Sequence, residues 1–356
     1  MTSKIPVGVL GATGTVGQRY IQLLENHPWF EVEWLAASER SAGLPYPEAA
    51  KWKLTTAIPE RVRAMKVSAA TPDPSGAVGA PHVIFAALDA SLAQELEPKF
   101  AASGRVVITN SSAFRMHPAV PLVIPEINDD QLALIEQQAW RRAKGGFIVT
   151  NSNCSVMGLA IALAPLAEAF GLEKVFAVTM QAVSGAGYPG VASLDILGNV
   201  IPYIAKEEEK MEAEAKKLLG RMHNGQLQLA DFAISAQCNR VAVEDGHTES
   251  VSVKLRKPAT AEAIIAAWRG YQSKVAALAL PSAPAEFIHY DERADRPQPR
   301  WDIHRGNGMT TTIGRLRPCS VFDWKFTVLS HNTVRGAAGA AILNAELLKA
   351  KGLLPQ

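Results

Sequence analysis

Cys154 stands where an apolar strand gives way to an apolar helix, and this is the position in the sequence best suited to nucleophilic chemistry. The run FIVT precedes an Asn-Ser-Asn turn, and the cysteine then opens a long apolar segment that includes VMGLAIALAPLAEAF. Backbone N–H groups and the positive end of the helix dipole favour a thiolate at such a position. The pattern therefore predicts a nucleophile for covalent catalysis, the alternative being a buried, unreactive thiol.

A glycine-rich turn near the start of the sequence predicts a dinucleotide site. The apolar run Ile5–Leu10 precedes GATGTVG, and the residues that follow have helical periodicity. In such a strand–turn–helix, Gly11 makes the tight turn, Gly14 lets the backbone approach a pyrophosphate, and Gly17 allows close packing of helix on strand. The other interpretation is a structural turn that binds no phosphate. The predicted cofactor contacts in this turn are Gly11, Thr13, Gly14, Thr15, Val16 and Gly17.

Four residues after the second predicted strand, 31–37, discriminate between the two nicotinamide cofactors. An NAD site places an acidic side chain on the ribose hydroxyls, whereas a 2′-phosphate is bound by arginine and hydroxyl groups. Ser38, Arg40 and Ser41 favour NADP, and Glu39 favours NAD. We therefore expect NADP as the cofactor.

The elements that must position these residues alternate between strand and helix over the first 150 residues. Further strands are predicted at 66–69, 82–86, Val106–Thr109 and Phe147–Thr150, and helices at 91–102 and 129–143. This alternation predicts an α/β fold with a Rossmann-like, doubly wound parallel sheet. Cys154 would then lie at the carboxyl edge of that sheet, where nucleotides bind.

From about residue 172 the pattern changes to β-type runs with fewer helices between them, which predicts a second, α+β domain with a mainly antiparallel sheet. The helical segment 335–351 is rich in small residues and is expected to pack on the first domain. We therefore assign 1–150 and 331–356 to the NADP-binding domain and 151–330 to the second domain. The other predicted elements are strands at 174–182, 249–255 and 321–329, helices at 206–219 and 261–277, and a loop or linker at 281–300.

The composition is typical of a two-domain enzyme of the cytoplasm. A chain of 356 residues exceeds what one core usually organises, and 48% hydrophobic residues suffice for ordinary cores. A net charge of +2 without a long basic run argues against nucleic acid as a partner. The sequence has no apolar stretch of spanning length and no signal peptide, so we expect no membrane association. Three widely spaced cysteines predict neither disulfides nor a metal site.

Six motifs in consistent order make this chain resemble the aspartate-semialdehyde dehydrogenase family, most closely its archaeal and fungal branch. They are GATGTVG, NSNCS, QAVSGAGYPG, NVIPYIAKEEEK, RVAVEDGH and HNTVRGAAG, and together they span nearly the whole sequence. The resemblance implies NADP-dependent reduction of L-aspartyl 4-phosphate to L-aspartate 4-semialdehyde and phosphate through a cysteine thioester, and the reverse reaction. It implies a role in the biosynthesis of lysine, threonine, methionine and isoleucine. It also implies a homodimer, built through a catalytic and dimerisation domain, or a homotetramer.

The resemblance assigns three catalytic residues. Cys154 is implied as the nucleophile, and His247 as the acid–base residue, because an imidazole titrates near neutral pH. Gln181 is implied to orient the substrate near the sulfur without competing for the proton. From the residues alone, His247 and Gln181 are equally compatible with structural roles.

The resemblance also implies receptors for the charged groups of the substrate. Arg240 is implied for the carboxylate, which a planar guanidinium binds with two hydrogen bonds. Glu207 and Lys210 form an E-x-x-K pair for the ammonium and phosphate groups, on one helix face. Glu208 is the rival for Glu207, and a solvated charged helix is the alternative for the whole segment. Arg115 resembles the phosphate-binding arginine of the bacterial branch.

Two further segments are implied to contact the nicotinamide. They are the loop that begins with Ser184 and Gly185, and Asn332, whose alternative role is a helix cap. The sequence departs from the family at Val156, since NCSV stands where NCST is commoner. Two other functions stay open at this point: a reductase of malonyl-CoA or another acyl-CoA on the same scaffold, and a non-catalytic NADP-binding regulator. The NSNCS motif argues against N-acetyl-glutamyl-phosphate reductase, a more distant relative.

Overall fold

The computed structural model describes residues 4–71 and 79–354, and its first sheet is the predicted parallel sheet. The strand order is β3-β2-β1-β4-β5-β6, and every pair is parallel. This order confirms the Rossmann-like fold and brings the carboxyl ends of the strands to one edge. The strands are β1 (Ile5–Leu10), β2 (Phe30–Ala37), β3 (Ser68–Ala69), β4 (Val83–Ala86), β5 (Val106–Thr109) and β6 (Phe147–Thr150).

The helices flank the sheets and connect their strands. The α-helices are α1 (Thr15–Leu24), α2 (Tyr46–Ala49), α3 (Glu60–Arg63), α4 (Ala90–Ala102), α5 (Pro125–Asn128), α6 (Ala139–Lys144), α7 (Cys154–Ala169), α8 (Ser193–Ile196), α9 (Glu207–Leu218), α10 (Ala261–Gly270), α11 (Pro299–Asp302) and α12 (Gly339–Ala350). The 3₁₀ segments are Glu39–Ser41, Asp129–Gln137, Val183–Ala186, Ala276–Leu278 and Arg305–Gly308, and Val334–Ala338 is a π-helix.

The prediction of one helix over 129–143 is wrong, because a 3₁₀ segment and α6 share that range. Gln138 separates them in an extended conformation. Its side chain bonds both the carbonyl and the N–H of Ile148, each at 2.9 Å. This contact with β6 holds the backbone out of the helix. The predicted helix over 261–277 likewise ends early, at Gly270, where the next residue is extended.

The second sheet is mixed, with strand order β10-β7-β11-β14-β13-β12. Its three central pairs are antiparallel, while the outer pairs β10·β7 and β13·β12 are parallel. The prediction of a loop over 281–300 is wrong in part, since this stretch contains β12, whose Ile288 is buried in the core. The remaining strands are β7 (Leu172–Gln181), β8 (Arg221–His223), β9 (Gln226–Gln228), β10 (Ala233–Arg240), β11 (His247–Leu255), β12 (Ile288–Asp291), β13 (Thr311–Pro318) and β14 (Trp324–Ser330).

Helix α7 connects the two sheets and carries Cys154 at its first position. It follows β6 of the first sheet but packs on four strands of the second. Its residues from Ser155 to Leu166 are all buried, as expected for a helix that is apolar on every side. The fold therefore places the cysteine at the junction of the sheets.

The last helical segment returns to the first sheet, as the sequence predicts. Helix α12 packs on β5, α5 and α1. Its residues Ile342, Leu343, Leu347 and Leu348 belong to the same core cluster as Val7 of β1. This burial of apolar surface is what fixes the segment there.

Candidate active site

The predicted nucleophile and acid–base residue lie in contact. Cys154 Sγ is 3.2 Å from His247 Nε2. Asn153 caps α7, since its Oδ1 accepts hydrogen bonds from the N–H groups of Ser155 (2.8 Å) and Val156 (3.2 Å). The cap fixes the first helical turn and with it the direction of the cysteine side chain.

His247 is a neutral imidazole whose proton faces the sulfur. Its Nδ1 accepts a hydrogen bond from the Ala182 N–H at 3.1 Å, so the ring proton is on Nε2. Burial, followed by the positive charge of Arg240 and the neighbouring His331, lowers the pKa of His247 to about 3. A buried ring with charged neighbours of the same sign loses its proton readily.

The Cys154 thiol is also neutral, which differs from the thiolate expected at a helix start. The residue keeps some exposed surface, and its sulfur contacts the His247 ring. Burial and then the negative charge of Glu207 raise the pKa of the thiol to about 12. The charges of Arg115 and Arg240 act in the opposite direction and are outweighed. Desolvation therefore overrides the helix terminus in the free protein.

Two strands end and a third begins at one edge of the second sheet, which brings the polar side chains at these strand ends together. Arg240 ends β10, Gln181 ends β7 opposite it, and His247 begins β11. Arg240 Nη1 donates to the Ala182 carbonyl at 2.7 Å. A Cβ on Gly185 would lie 3.0 Å from Arg240 Nη1 and 3.1 Å from His247 Cε1, so the loop with Ser184 and Gly185 covers these residues.

Helix α9 directs Glu207, and not Glu208, toward the cysteine. Glu207 Oε1 accepts a hydrogen bond from Asn153 Nδ2 at 2.8 Å, and its Oε2 lies 3.4 Å from Lys210 Nζ. Glu208 instead accepts the N–H of Cys238 at 2.9 Å. The Lys210 side chain is 31% exposed, so its ammonium group remains accessible to an anion.

Arg115 lies near the cysteine and is held on two sides. Its Nη1 is 3.0 Å from Glu214 Oε1, and its Nη2 donates to the Asn110 carbonyl at 2.6 Å. The residue is 7% exposed, and its Nε has no hydrogen-bond partner among residues 4–71 and 79–354. Its positive charge lowers the pKa of Cys154, which places it within electrostatic reach of the sulfur.

The glycine-rich turn has the geometry that a dinucleotide requires. Gly11 has φ +85°, and a Cβ there would stand 2.4 Å from the Ala87 carbonyl oxygen. A Cβ on Gly17 would stand 2.2 Å from the Gly11 carbonyl oxygen. Gly14 is the N-cap residue of α1, and as a glycine it has no side chain that could cap the helix. Thr15 and Val16 open α1, and their helix terminus suits a pyrophosphate.

The predicted 2′-phosphate residues lie together after β2. Ser38 precedes the 3₁₀ segment Glu39–Ser41, and both Ser38 and Arg40 are exposed. Arg40 therefore has room to turn toward an anion bound beside the glycine-rich turn. The residues present fit NADP.

Asn332 connects the loop over the site to the residue before His247. Its Oδ1 accepts the Gly246 N–H and its Nδ2 donates to Ser184 Oγ, both at 2.8 Å. Ser184 Oγ in turn donates to Asp245 Oδ1 at 2.7 Å. Both ends of the Asn332 amide are used by the protein, and its contact with a cofactor stays a prediction. A cavity of about 990 Å³, lined in part by Thr15, Ser184 and Tyr188, opens beside this loop.

Sequence reasoning missed two residues that contact Cys154 or the residue before it. Glu214 Oε2 accepts the Asn153 N–H at 2.6 Å, and Gly336 lies directly against Cys154. Glu214 had one detectable signal, a second E-x-x-K spacing in the same helix. Gly336 lies in the HNTVRGAAG motif, but its contact with Cys154 has no local signal because it is made by tertiary structure.

The chain matches two family models that together cover most of its length. "Semialdehyde dehydrogenase, NAD binding domain" matches residues 6–135, and "Semialdehyde dehydrogenase, dimerisation domain" matches residues 163–335. Aspartate-semialdehyde dehydrogenase of Methanothermobacter thermautotrophicus is 49% identical, over 97% of this chain and 99% of its own. That of Schizosaccharomyces pombe is 46% identical, over 98% of this chain and 99% of its own.

A solved structure has the same fold. Aspartate-semialdehyde dehydrogenase with NADP from Candida albicans superimposes with a TM-score of 0.90 at 42% identity. The match covers 98% of this chain and 100% of that one. Among the residues that the model describes, no helix is long and apolar enough to cross a bilayer.

Proposed function

Because this chain belongs to the aspartate-semialdehyde dehydrogenase family, we propose that it converts L-aspartyl 4-phosphate and NADPH into L-aspartate 4-semialdehyde, phosphate and NADP, and catalyses the reverse reaction. The observation that carries this function is the 3.2 Å contact of Cys154 Sγ with His247 Nε2, at an edge that also holds Arg240. We place the reaction in the biosynthesis of lysine, threonine, methionine and isoleucine.

The charged groups of the substrate find complementary side chains around the sulfur. We propose that Arg240 binds the carboxylate, since a guanidinium matches its two oxygens. Glu207 would accept the ammonium group, and Lys210 and Arg115 the phosphate. The burial of Glu207 and Arg115 strengthens both contacts, because fewer waters screen them.

The thiol reacts in two steps. The thiol proton passes to His247, and Cys154 Sγ forms a bond with the acyl carbon while the bond from that carbon to phosphate oxygen breaks, which leaves a thioester and free phosphate. NADPH, when bound, supplies the hydride that reduces this thioester. We propose that the Cys154 N–H at the start of α7 stabilises the oxyanion and that Gln181 orients the substrate. Release of the aldehyde then restores the thiol.

His247 donates a hydrogen bond from its Nε2–H to the oxygen of the substrate's reacting carbonyl group. In the tautomer that the Ala182 N–H selects, the ring donates a hydrogen bond at Nε2 and has no lone pair there for the thiol proton. Removal of that proton by His247 requires the other tautomer, and therefore requires the Ala182 N–H to move away from Nδ1. Ala182 directly precedes the loop Val183–Ala186, which we propose closes over the nicotinamide.

The cofactor is NADP, in line with the family and with the residues after β2. We propose that the turn from Gly11 to Gly17 binds the pyrophosphate and that Ser38, Arg40 and Ser41 bind the 2′-phosphate. The loop with Ser184 and Gly185, and Asn332, would contact the nicotinamide. We also propose the division of the chain into an NADP-binding domain, 1–150 with 331–356, and a catalytic and dimerisation domain, 151–330.

The family model for a dimerisation domain supports an oligomer. We propose a homodimer or a homotetramer, formed through a surface of exposed apolar side chains near α8. Leu194, Leu197, Val200 and Tyr203 are 91%, 68%, 53% and 70% exposed. Apolar clusters of this kind mark protein interfaces. Light scattering of Leu194→Asp should reveal monomers, whereas Val321→Asp, at an exposed residue that is not part of this surface, should not. We also propose that the protein is located in the cytoplasm.

One assay tests the function. Semialdehyde and phosphate are mixed with NADP, the reduced cofactor is followed, and a parallel reaction contains malonyl-CoA and NADPH. We expect turnover only in the first reaction, and its loss in Cys154→Ala and Arg240→Ala with the fold retained. Turnover of malonyl-CoA alone would show that the substrate is an acyl-CoA and not an acyl phosphate. Tight NADP binding without turnover in either reaction would indicate a regulator.

A further inference from the structure

Helix α9 carries two E-x-x-K pairs, seven residues apart, and the second pair is wholly buried. The first pair is Glu207 and Lys210, and the second is Glu214 and Lys217. Seven residues are two helical turns, so both pairs share one helix face. Glu214 and Lys217 are each 2% exposed. Charged side chains are rarely buried to this extent unless each charge is matched.

The Glu214 carboxylate joins the two segments that border the nucleophile. Its Oε1 lies 3.0 Å from Arg115 Nη1, and its Oε2 accepts the Asn153 N–H at 2.6 Å. Asn153 is the cap of α7 and the residue directly before Cys154. One carboxylate thus orients both a candidate phosphate ligand and the peptide that leads into the nucleophile.

Lys217 fixes the segment that carries Arg115. Its Nζ donates to the carbonyls of Arg115 (2.6 Å), His117 (2.9 Å) and Val120 (2.8 Å). An ammonium group has three donors, and three backbone acceptors use all of them. The backbone from Arg115 to Val120 therefore wraps around a single cation. Burial lowers the pKa of Lys217 to about 8, so the group stays charged at neutral pH.

Arg115 keeps donors to offer, since a guanidinium has five N–H groups and these contacts use two of them. Glu214 and the Asn110 carbonyl bind its two terminal nitrogens, while Nε, buried, has no partner in the described parts of the chain. Buried ion pairs are weak contributors to stability compared with apolar packing, so stability alone gives little reason for this one. Its location beside the cysteine gives a functional reason.

We propose that Glu214 and Lys217 are positioning residues for the phosphate step: Lys217 shapes the backbone under Arg115, and Glu214 orients the Arg115 guanidinium and the Asn153 peptide. This inference rests on the proposed function of Arg115 as a phosphate ligand. It assigns no contact with substrate to either residue.

The test measures the KM for inorganic phosphate in the oxidative direction. Glu214→Gln keeps the shape of the side chain but removes its charge, and Lys217→Met removes the donor. We expect each to raise the KM for phosphate about tenfold or more, as loss of a charge-assisted hydrogen bond implies, with the KM for NADP little changed. The matched control is Glu209→Gln on the exposed side of the same helix, which should behave as the parent protein.

A second comparison separates this inference from the proposed function. Arg115→Ala should raise the KM for phosphate, and adding Glu214→Gln to it should cause no further rise in that KM, because Glu214 acts on phosphate through Arg115, whereas its contact with the Asn153 peptide affects kcat. If Arg115→Ala leaves that KM unchanged, the proposed role of Arg115 fails. If Arg115→Ala raises it but Glu214→Gln and Lys217→Met do not, the positioning role is overturned. Failure of both positioning variants to fold, judged by circular dichroism, would also overturn it in favour of a structural role.

Discussion

The backbone of Gly336 lies against the nucleophile Cys154. A Cβ on Gly336 would stand 2.7 Å from Cys154 Cβ and 2.9 Å from its Cα. Gly336 belongs to the π-helix Val334–Ala338, where its N–H bonds the His331 carbonyl at 2.9 Å. The neighbouring Arg335 makes two bonds to Glu126, at 2.7 and 2.8 Å, and both residues are fully buried. A segment far along the chain therefore fixes the position of the nucleophile.

We expect Gly336→Ala to displace Cys154 from His247 while the fold is retained. A shift of about 1 Å at a reacting group lowers the rate by about 100-fold, and kcat should fall on that scale. The control is Gly270→Ala, where a Cβ meets nothing within 4 Å. Steady-state kinetics and far-UV circular dichroism check both variants. A parent-like kcat for Gly336→Ala would show that the contact does not constrain the cysteine.

The neutral thiol predicts an unusual pH dependence of alkylation. Because burial raises the pKa of Cys154 to about 12, its rate of reaction with iodoacetamide should rise about tenfold per pH unit, without a plateau, from pH 7 to 10. Cys319 is the internal comparison, since backbone N–H groups of Phe322 and Val321 lower the pKa of its thiol. Mass spectrometry of the two peptides follows both rates. A plateau for Cys154 below pH 8 would mean that it is a thiolate paired with a charged His247.

The first sheet could be predicted from sequence more fully than the second. Three strands, Ile5–Leu10, Val106–Thr109 and Phe147–Thr150, have the predicted bounds, because continuous apolar runs are typical of a sheet buried on both faces. Strand β10 was missed, since its sequence AISAQCNR is rich in small and polar residues of low β-propensity. It is stabilised by pairing with β7, and such pairing has no local signature.

We expect Arg40→Ala to weaken the preference for NADP. Loss of a charge-assisted hydrogen bond to the 2′-phosphate should raise the KM for NADP by about 10- to 100-fold, while the KM for NAD changes little. The control is Arg63→Ala, another exposed arginine, in α3. Kinetics with both cofactors measure the ratio of kcat/KM values. An unchanged ratio would remove Arg40 from the cofactor site.

A buried carboxyl in α4 makes stability depend on pH. Glu97 Oε1 accepts the Thr109 hydroxyl at 2.5 Å, and Oε2 has no partner within the ranges that the structure describes. Burial raises the pKa of Glu97 from 4.5 to about 8. Between those values the carboxyl of residue 97 is ionised in the unfolded chain but not in the folded one, so the contribution of Glu97 to stability is greatest below pH 4.5 and is lost as pH rises to 8.

Glu97→Gln should therefore stabilise the protein at pH 8, by about 1–3 kcal/mol, and have little effect at pH 4.5, since the amide keeps an acceptor for Thr109. Thermal unfolding at the two pH values measures the difference in Tm. Glu95→Gln, on the exposed side of the same helix, is the control. Equal changes in Tm at both pH values would show that Glu97 does not titrate on unfolding.

Like the strands, the active-site residues include some that the sequence predicts and some that only the structure shows. Cys154, His247 and Arg240 lie in motifs whose types and spacing carry the chemistry, and the structure brings them to one edge. Glu214 and Gly336 act on the cysteine through contacts between segments far apart in sequence. No periodicity reports such contacts, because the apolar and charged patterns around them are ordinary helical ones.

The return of α12 to the first sheet has a consequence for biogenesis. Residues Ile342, Leu343, Leu347 and Leu348 complete the core beneath β1, and a ribosome releases them after the whole second sheet. Domains usually fold in the order of their synthesis. We therefore expect the first sheet to complete its core only after α12 has been synthesised.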